Sequence, residues 1–493
     1  MLGLHVLEGG RLRPSLPVTA SSERACFALR VRYGSTDRTR YAADIRETRQ
    51  EAKAGFMKMT LRKVRHGHRH ALLLAICAVS ICLGSGLGIA LWQSRSRPNL
   101  PLPSDAYVWQ RQWNASVVQS LDKASAAIRI WHVLAAELDQ AGQWQIAHLA
   151  DGPRSLASHR VIAVFRLSGR LGSLDARQIA AHIDRVLADW HRLGIAPEAI
   201  EIDHDCPTAR LAEYASLLET IHTGLHGQYP LIVTALPTWI GAAGLTAVLS
   251  HVQGVVLQLH AVTNPAGGLF KPAEALRAAA RFGALSPVPW QIALPSYGTR
   301  IVWGPDGRPA NVESEMARGF SQSAGQELTV SPVEIAGYMK RIDHAPPAGL
   351  TGWIWFRLPV DGDRRAWSLS SWLTLVRHEP LSTSMDLTLT PQSPVLYHIV
   401  LRNTGTIDAA LPLVIHGDRQ CAGIGAQSPY RLDYDAQGPI LIRTAGALLP
   451  VGQQIVAGWL TCQKKKDQID VSKITCQKET WQQNLLKMRF LIT

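Results

Sequence analysis

Three carboxylates stand two residues apart in Glu201-Ile202-Asp203-His204-Asp205, where an apolar run closes and the chain turns at Pro207. Side chains alternate along an extended segment, so Glu201, Asp203 and Asp205 share one face. Carboxylates crowded on a buried face must share protons or find donors, and crowding raises one proton affinity while another stays low. A protonated carboxyl beside an ionised partner is the equipment of general acid–base hydrolysis. Glu137 closes an earlier apolar run and offers a further carboxylate, as an inverting displacement with a water between two carboxyl groups would need.

Other residues at the ends of apolar runs suit a ligand rich in hydroxyls. Trp109 and Arg111 supply an aromatic face and a guanidinium, although Trp is as often plain core. Arg166 could neutralise the carboxylates, and Gln258, His260, Tyr297, Trp353 and Trp355 complete the set. His204 lies between Asp203 and Asp205 in sequence but on the opposite face, so the three make no metal site. No metal or cofactor is implied.

These residues need a scaffold that gathers strand ends. After a Pro-rich linker at 93–104, short β-branched or aromatic runs alternate with helical spacing, the pattern of a parallel sheet. The runs fall at 106–109, 130–136, 160–167, 199–203, 231–236, 254–259, 290–294 and 352–357. Eight βα units predict an α/β fold, a (β/α)8 TIM barrel over 105–378, whose active sites lie at the C-terminal strand ends. An open doubly wound sheet would want a Gly-rich turn after its first strand, which AYVWQRQW lacks. Beyond Pro380 the texture becomes alternating and Thr-rich, predicting a small all-β sandwich at 379–462. Residues 463–493 form a Lys- and Gln-rich tail, either a disordered extension or the product of a shifted reading frame.

The net charge of +13 would suggest nucleic acid if it were spread over the chain. It sits at the ends instead. Residues 1–70 hold 15 Lys and Arg against 6 Asp and Glu, 461–493 hold 7 against 3, and 71–460 balance at 29 against 29. A nucleic-acid groove is therefore excluded from the body of the chain. Residues 71–92 run for 22 positions without a charge, long enough to cross a bilayer as a helix. The basic cluster before this run puts the N-terminus in the cytoplasm. The expectation is a single-pass inner-membrane protein with its later domains in the periplasm or outside the cell; a cleaved signal peptide is the competing reading. Met57 or Met59 would open an ordinary basic lead into the span, so residues 1–56 are expected not to belong to the natural protein. Cys421 and Cys462 could bridge in an oxidising compartment, a pairing the sequence leaves open.

The acidic segment resembles the D-x-x-D-x-D-x-E signature of family 18 glycoside hydrolases, the chitinase-like barrels, with Glu198, Glu201, Asp203 and Asp205 at its acidic positions. That resemblance implies Asp205 as general acid and Asp203 as its partner. It also implies Tyr297-Gly298 as the family's Y-G segment, and Trp353 and Trp355 as a Trp floor. Asp205 departs from the family's Glu, and Gln258-Leu259-His260 stands where the family shows Met-x-Tyr, which weakens the retaining reading. Over most of the exported region the chain also resembles an uncharacterised bacterial family (domain of unknown function 3142), through AYVWQRQW, IDHDCPT and ALPSYG. The functional expectation is a membrane-anchored, extracytoplasmic, glycoside hydrolase-like barrel acting on or binding a poly- or oligosaccharide. The alternative is a non-catalytic glycan-binding or envelope scaffold protein.

Overall fold

A computed structural model describes residues 100–150, 152–168, 171–260, 268–304, 309–313, 325–363, 365–417, 421, 423–436, 438–444, 448–462, 476–477 and 486–491. The expected span at 71–92, the basic segment before it and most of the tail lie outside the described residues. Among the described residues no helix is long and apolar enough to cross a membrane.

Eight parallel strands close on themselves: β1 (Ser104–Val108), β2 (Trp131–Leu138), β3 (Val161–Leu167), β4 (Ala199–Asp203), β5 (Leu231–Ala235), β6 (Gly254–Gln258), β7 (Trp290–Pro295) and β8 (Leu350–Phe356). Closure comes from β1, which pairs with β8 on one side and β2 on the other. A helix follows each strand: α1 (Ala115–Ala124), α2 (Gly152–Ala157), α3 (Ala176–Arg192), α4 (Leu211–Gly224), α5 (Leu245–Ser250), α6 (Pro272–Leu285), α7 (Pro332–His344) and α8 (Leu369–Val376). The strands are buried on both faces, so they read as continuous apolar runs. In α3 the buried side chains Ile179, Ile183, Val186, Leu187 and Trp190 recur three and four apart, and Asp175 caps its first turn.

Register fixes which side chains enter the barrel. Glu201 lies beside Val164 and Ile232, and Asp203 beside Arg166, so these residues share the inner face. In β2 the pairing shifts between Leu134 and Ala136. This bulge lets His132 and Glu137, of opposite parity, both point inward.

The chain past Pro380 forms small, mainly antiparallel sheets. Met385, Leu387 and Leu389 alternate into a core with Ile399, Leu401, Leu441 and Leu460, the pattern of strands wet on one face. A disulfide joins Cys421 and Cys462, their Cα atoms 4.4 Å apart. The loop between the strand Leu396–Asn403 and the short strand Ala409–Ala410 packs back on the barrel, where Ile407 joins the barrel core.

Candidate functional site

The C-terminal ends of β3 and β4 meet at Arg166. Its Nη1 lies 2.8 Å from Asp203 Oδ2, and its Nη2 donates to Asp205 Oδ2 at 2.5 Å. One buried guanidinium thus grips both carboxylates, and their charge raises its proton affinity beyond burial's opposing effect. Asp203 is buried, whereas the Asp205 side chain keeps 22% of its exposure. Burial pushes the Asp203 carboxyl up to about 6; Arg166 opposes the rise, while Asp205 and Glu201 add to it. Asp203 Oδ1 is buried without a hydrogen-bond partner.

Glu201 sits one step deeper and is fully buried. Its Oε1 accepts from Tyr107 Oη and, at 3.2 Å, from Thr234 Oγ1, and its Oε2 lies 2.6 Å from His132 Nδ1. Burial, then the neighbouring Glu201 charge, holds the Tyr107 phenol well above its ordinary range. With both oxygens engaged, Glu201 belongs to the barrel interior and not to the open mouth. Glu137 reaches the rim, where Arg111 donates to Oε2 through both Nε and Nη2 and Ser168 Oγ donates to Oε1.

An aromatic wall faces these ion pairs. Phe356 lies at its centre, with ring centroids 5.0 Å from Trp109, 5.6 Å from Tyr107 and 5.4 Å from Tyr297, all edge-on. His260 stacks on Phe356 at 5.4 Å. Burial drives the His260 imidazole down to about 4, so it is neutral at neutral pH. Its Nδ1 lies 3.4 Å from Tyr297 Oη, and its Nε2 is buried without a partner. Gln258, two residues earlier on β6, lies on the same inner face, beside Ala293.

Trp353 and Trp355 do not reach this mouth, contrary to the expectation of a Trp floor. Register places them beside Ser104 and Ala106, on the outer face. Trp353 packs on Tyr338 of α7, and Trp355 packs on Trp367 and Trp372, the latter from α8. Phe356 occupies the inner face instead. Glu198, at the first acidic position of the signature, sits at the opposite rim on Arg160. Sequence reasoning passed over Phe356, Tyr107, His132 and Asp105. The last three carried a signal, since each is a polar or ionisable group inside an apolar strand. Among the described residues no group of three or more His, Cys, Asp or Glu is arranged to hold a metal ion.

The fold and site together define a closed (β/α)8 barrel whose mouth combines arginine-bound carboxylates with an aromatic wall. Residues 157–361 match the family model described as a domain of unknown function (DUF3142), and residues 387–463 match a second domain of unknown function (DUF8456). No curated protein matches the chain. Similar solved structures include a chitinase from Chromobacterium violaceum ATCC 12472, at 12% identity over 56% of this chain and 98% of that one, with a TM-score of 0.41. The Bacillus megaterium QM B1551 spore cortex-lytic enzyme SleL is 13% identical over 54% and 72% of the two chains, with a TM-score of 0.39. The GH18 chitinase ChiB from the chitin utilization locus of Flavobacterium johnsoniae is 12% identical over 56% and 93%, with a TM-score of 0.37.

Proposed function

We propose that the mouth binds and hydrolyses a poly- or oligosaccharide, with the proton carried by Asp203 and not by Asp205, the general acid that the motif resemblance implies. The observation that carries this reading is Arg166, which holds Asp203 and Asp205 together at the end of the barrel that also carries the aromatic cluster of Trp109, Phe356 and His260. Asp205, the more open of the two and bound by a guanidinium at 2.5 Å, acts as the ionised carboxylate. Asp203, pushed up to about 6, is the group that carries a proton under mildly acid conditions, below about pH 6. The aromatic wall covers the apolar faces of the sugar, while neutral His260 and the rim pair of Arg111 and Glu137 meet hydroxyls.

The same clamp favours a second reading. An aspartate held so closely also suits a site that grips glycan without turnover. The full chain, incubated with cell-wall and exopolysaccharide oligomers, separates the two. Hydrolysis yields new reducing ends, and Asp205→Asn lowers the rate by at least about a hundredfold. Glycan binding that survives Asp205→Asn with no turnover supports the second reading, and absence of both binding and turnover removes both.

We also place the barrel outside the cytoplasm, tethered through residues 71–92. The bridge between Cys421 and Cys462 supports an oxidising compartment, and the basic flank supports the orientation. Protease added to intact spheroplasts is expected to digest the barrel; full protection would overturn this placement.

A further inference from the structure

Beneath the mouth, the inner faces of β1, β2, β4, β5 and β7 hold a buried polar column. Asp105 anchors it at the base. Its Oδ1 accepts from Arg129 Nε at 3.0 Å and from the Ile130 backbone at 3.1 Å, and its Oδ2 accepts from Arg129 Nη2 at 2.8 Å and Gln291 Nε2 at 2.5 Å. Arg129 is the solvent-facing end, with 34% of its side chain exposed. Above Asp105 lies His132, fully buried, with Nε2 3.9 Å from Asp105 Oδ2 and Nδ1 2.6 Å from Glu201 Oε2. The Tyr107 ring packs on the imidazole, centroids 5.3 Å apart. Asp105 and Tyr107 from β1 and Glu201 from β4 are thus the titratable groups facing His132. Thr234 from β5 and Gln291 from β7 complete the polar shell, and Asp203 lies one step above Glu201 on the same face.

We propose that His132 is a positioning residue: fully buried between Asp105 and Glu201 and packed on Tyr107, it holds the Glu201 carboxylate in place under Asp203 and so sets the charge that Asp203 works against. Tyr107 and Thr234 both serve Oε1, so His132 is the partner of Oε2. A carboxylate engages an imidazole Nδ1–H in this way when the ring must keep one orientation. Without that donor a fully buried carboxylate takes up a proton, because burial penalises the charged form. The charge beneath Asp203 then disappears, and with it one of the influences that keep Asp203 protonated. The proposal takes from the functional reading only that Asp203 carries a proton.

The test is infrared titration of the full-length protein between about pH 4 and about pH 8. The protonated Asp203 carboxyl band is assigned by its loss in Asp203→Asn. Glu201→Gln removes a like charge and is expected to move the titration to lower pH by about one unit. His132→Leu is expected to move it the same way, the double variant no further than Glu201→Gln alone, and His132→Gln, which retains an N–H donor, back toward the wild type. If the leucine variant does not fold, His132→Asn, too short to reach Glu201, is expected to show the same shift. An unchanged titration, a shift to higher pH, or shifts that add in the double variant would overturn the proposal. Glycan binding is measured separately, so a protein that binds no glycan yet shows the stated shifts loses the functional reading and keeps this one.

Discussion

Asp203 and His260 are both buried at the C-terminal ends of their strands, and burial acts on them in opposite directions. The Asp203 carboxyl titrates at about 6 against 3.8 for an ordinary aspartate. Between those values the folded chain binds the extra proton, so its contribution to stability is present at low pH and is lost as pH rises through about 6. His260 titrates at about 4 against 6.5. There the unfolded chain binds the extra proton, so its contribution is present above 6.5 and is lost as pH falls through about 4. Each slope amounts to roughly 3 kcal/mol, and in the wild type they largely cancel. Asp203→Asn is expected to leave a protein that grows more stable from about pH 4 to about pH 6.5, and His260→Gln one that grows less stable over the same range. Urea midpoints across that interval check this, and slopes of the same sign in both variants would refute it.

Along β8 the difference between wall and mouth is a single residue. Trp355 points out to α8 and Phe356 points in, so neighbouring positions carry separate roles. Trp355→Ala is expected to cost about 3 to 5 kcal/mol in denaturant unfolding and to leave glycan affinity in the folded fraction near the wild-type value. Phe356→Ala is expected to weaken glycan binding at least about tenfold, since it removes the ring on which His260 stacks. If binding falls in Trp355→Ala and holds in Phe356→Ala, the inner and outer faces have been misassigned. The same strand shows why the eight strands were legible in the sequence while their faces were not. Apolar length and the alternation with helical runs mark a parallel strand, but Leu350–Phe356 is apolar on both faces, so period two gives no inward signal. In β4 alternation did work, because Glu201 and Asp203 are interleaved with Ile200 and Ile202. The bulge in β2 has no such mark, and it decides that Glu137 and His132 share the interior. Arg166 was legible as a neutralising group; that it grips Asp203 and Asp205 together depends on register between β3 and β4, which only the fold supplies.

At the scale of the molecule, barrel and small sheets have separate apolar cores joined by one loop. Ile407 enters the barrel core, Asp408 accepts from the Ser368 backbone and hydroxyl at the start of α8, and Asp408 N donates to Ser371 Oγ at 2.7 Å. Gly405 lets the loop turn there, for a Cβ would meet Ser382 O at 2.4 Å. An apolar plug from the second part, and an aspartate from it that braces the Ser368 cap of α8, are expected to bind the two into one cooperative unit. The disulfide from Cys421 to Cys462 closes a 41-residue separation within that second part, a constraint on the order of 4 kcal/mol. If the loop couples the two parts, the constraint's effect is expected to spread over the whole described body. In calorimetry the wild type is expected to melt in one transition that moves down as a whole under reductant. In the Ile407→Ala, Asp408→Ala double variant two transitions are expected, and reductant should lower only the one belonging to the small sheets. Two transitions already present in the wild type, or a barrel transition that still follows reductant in the double variant, would show that the loop does not couple them.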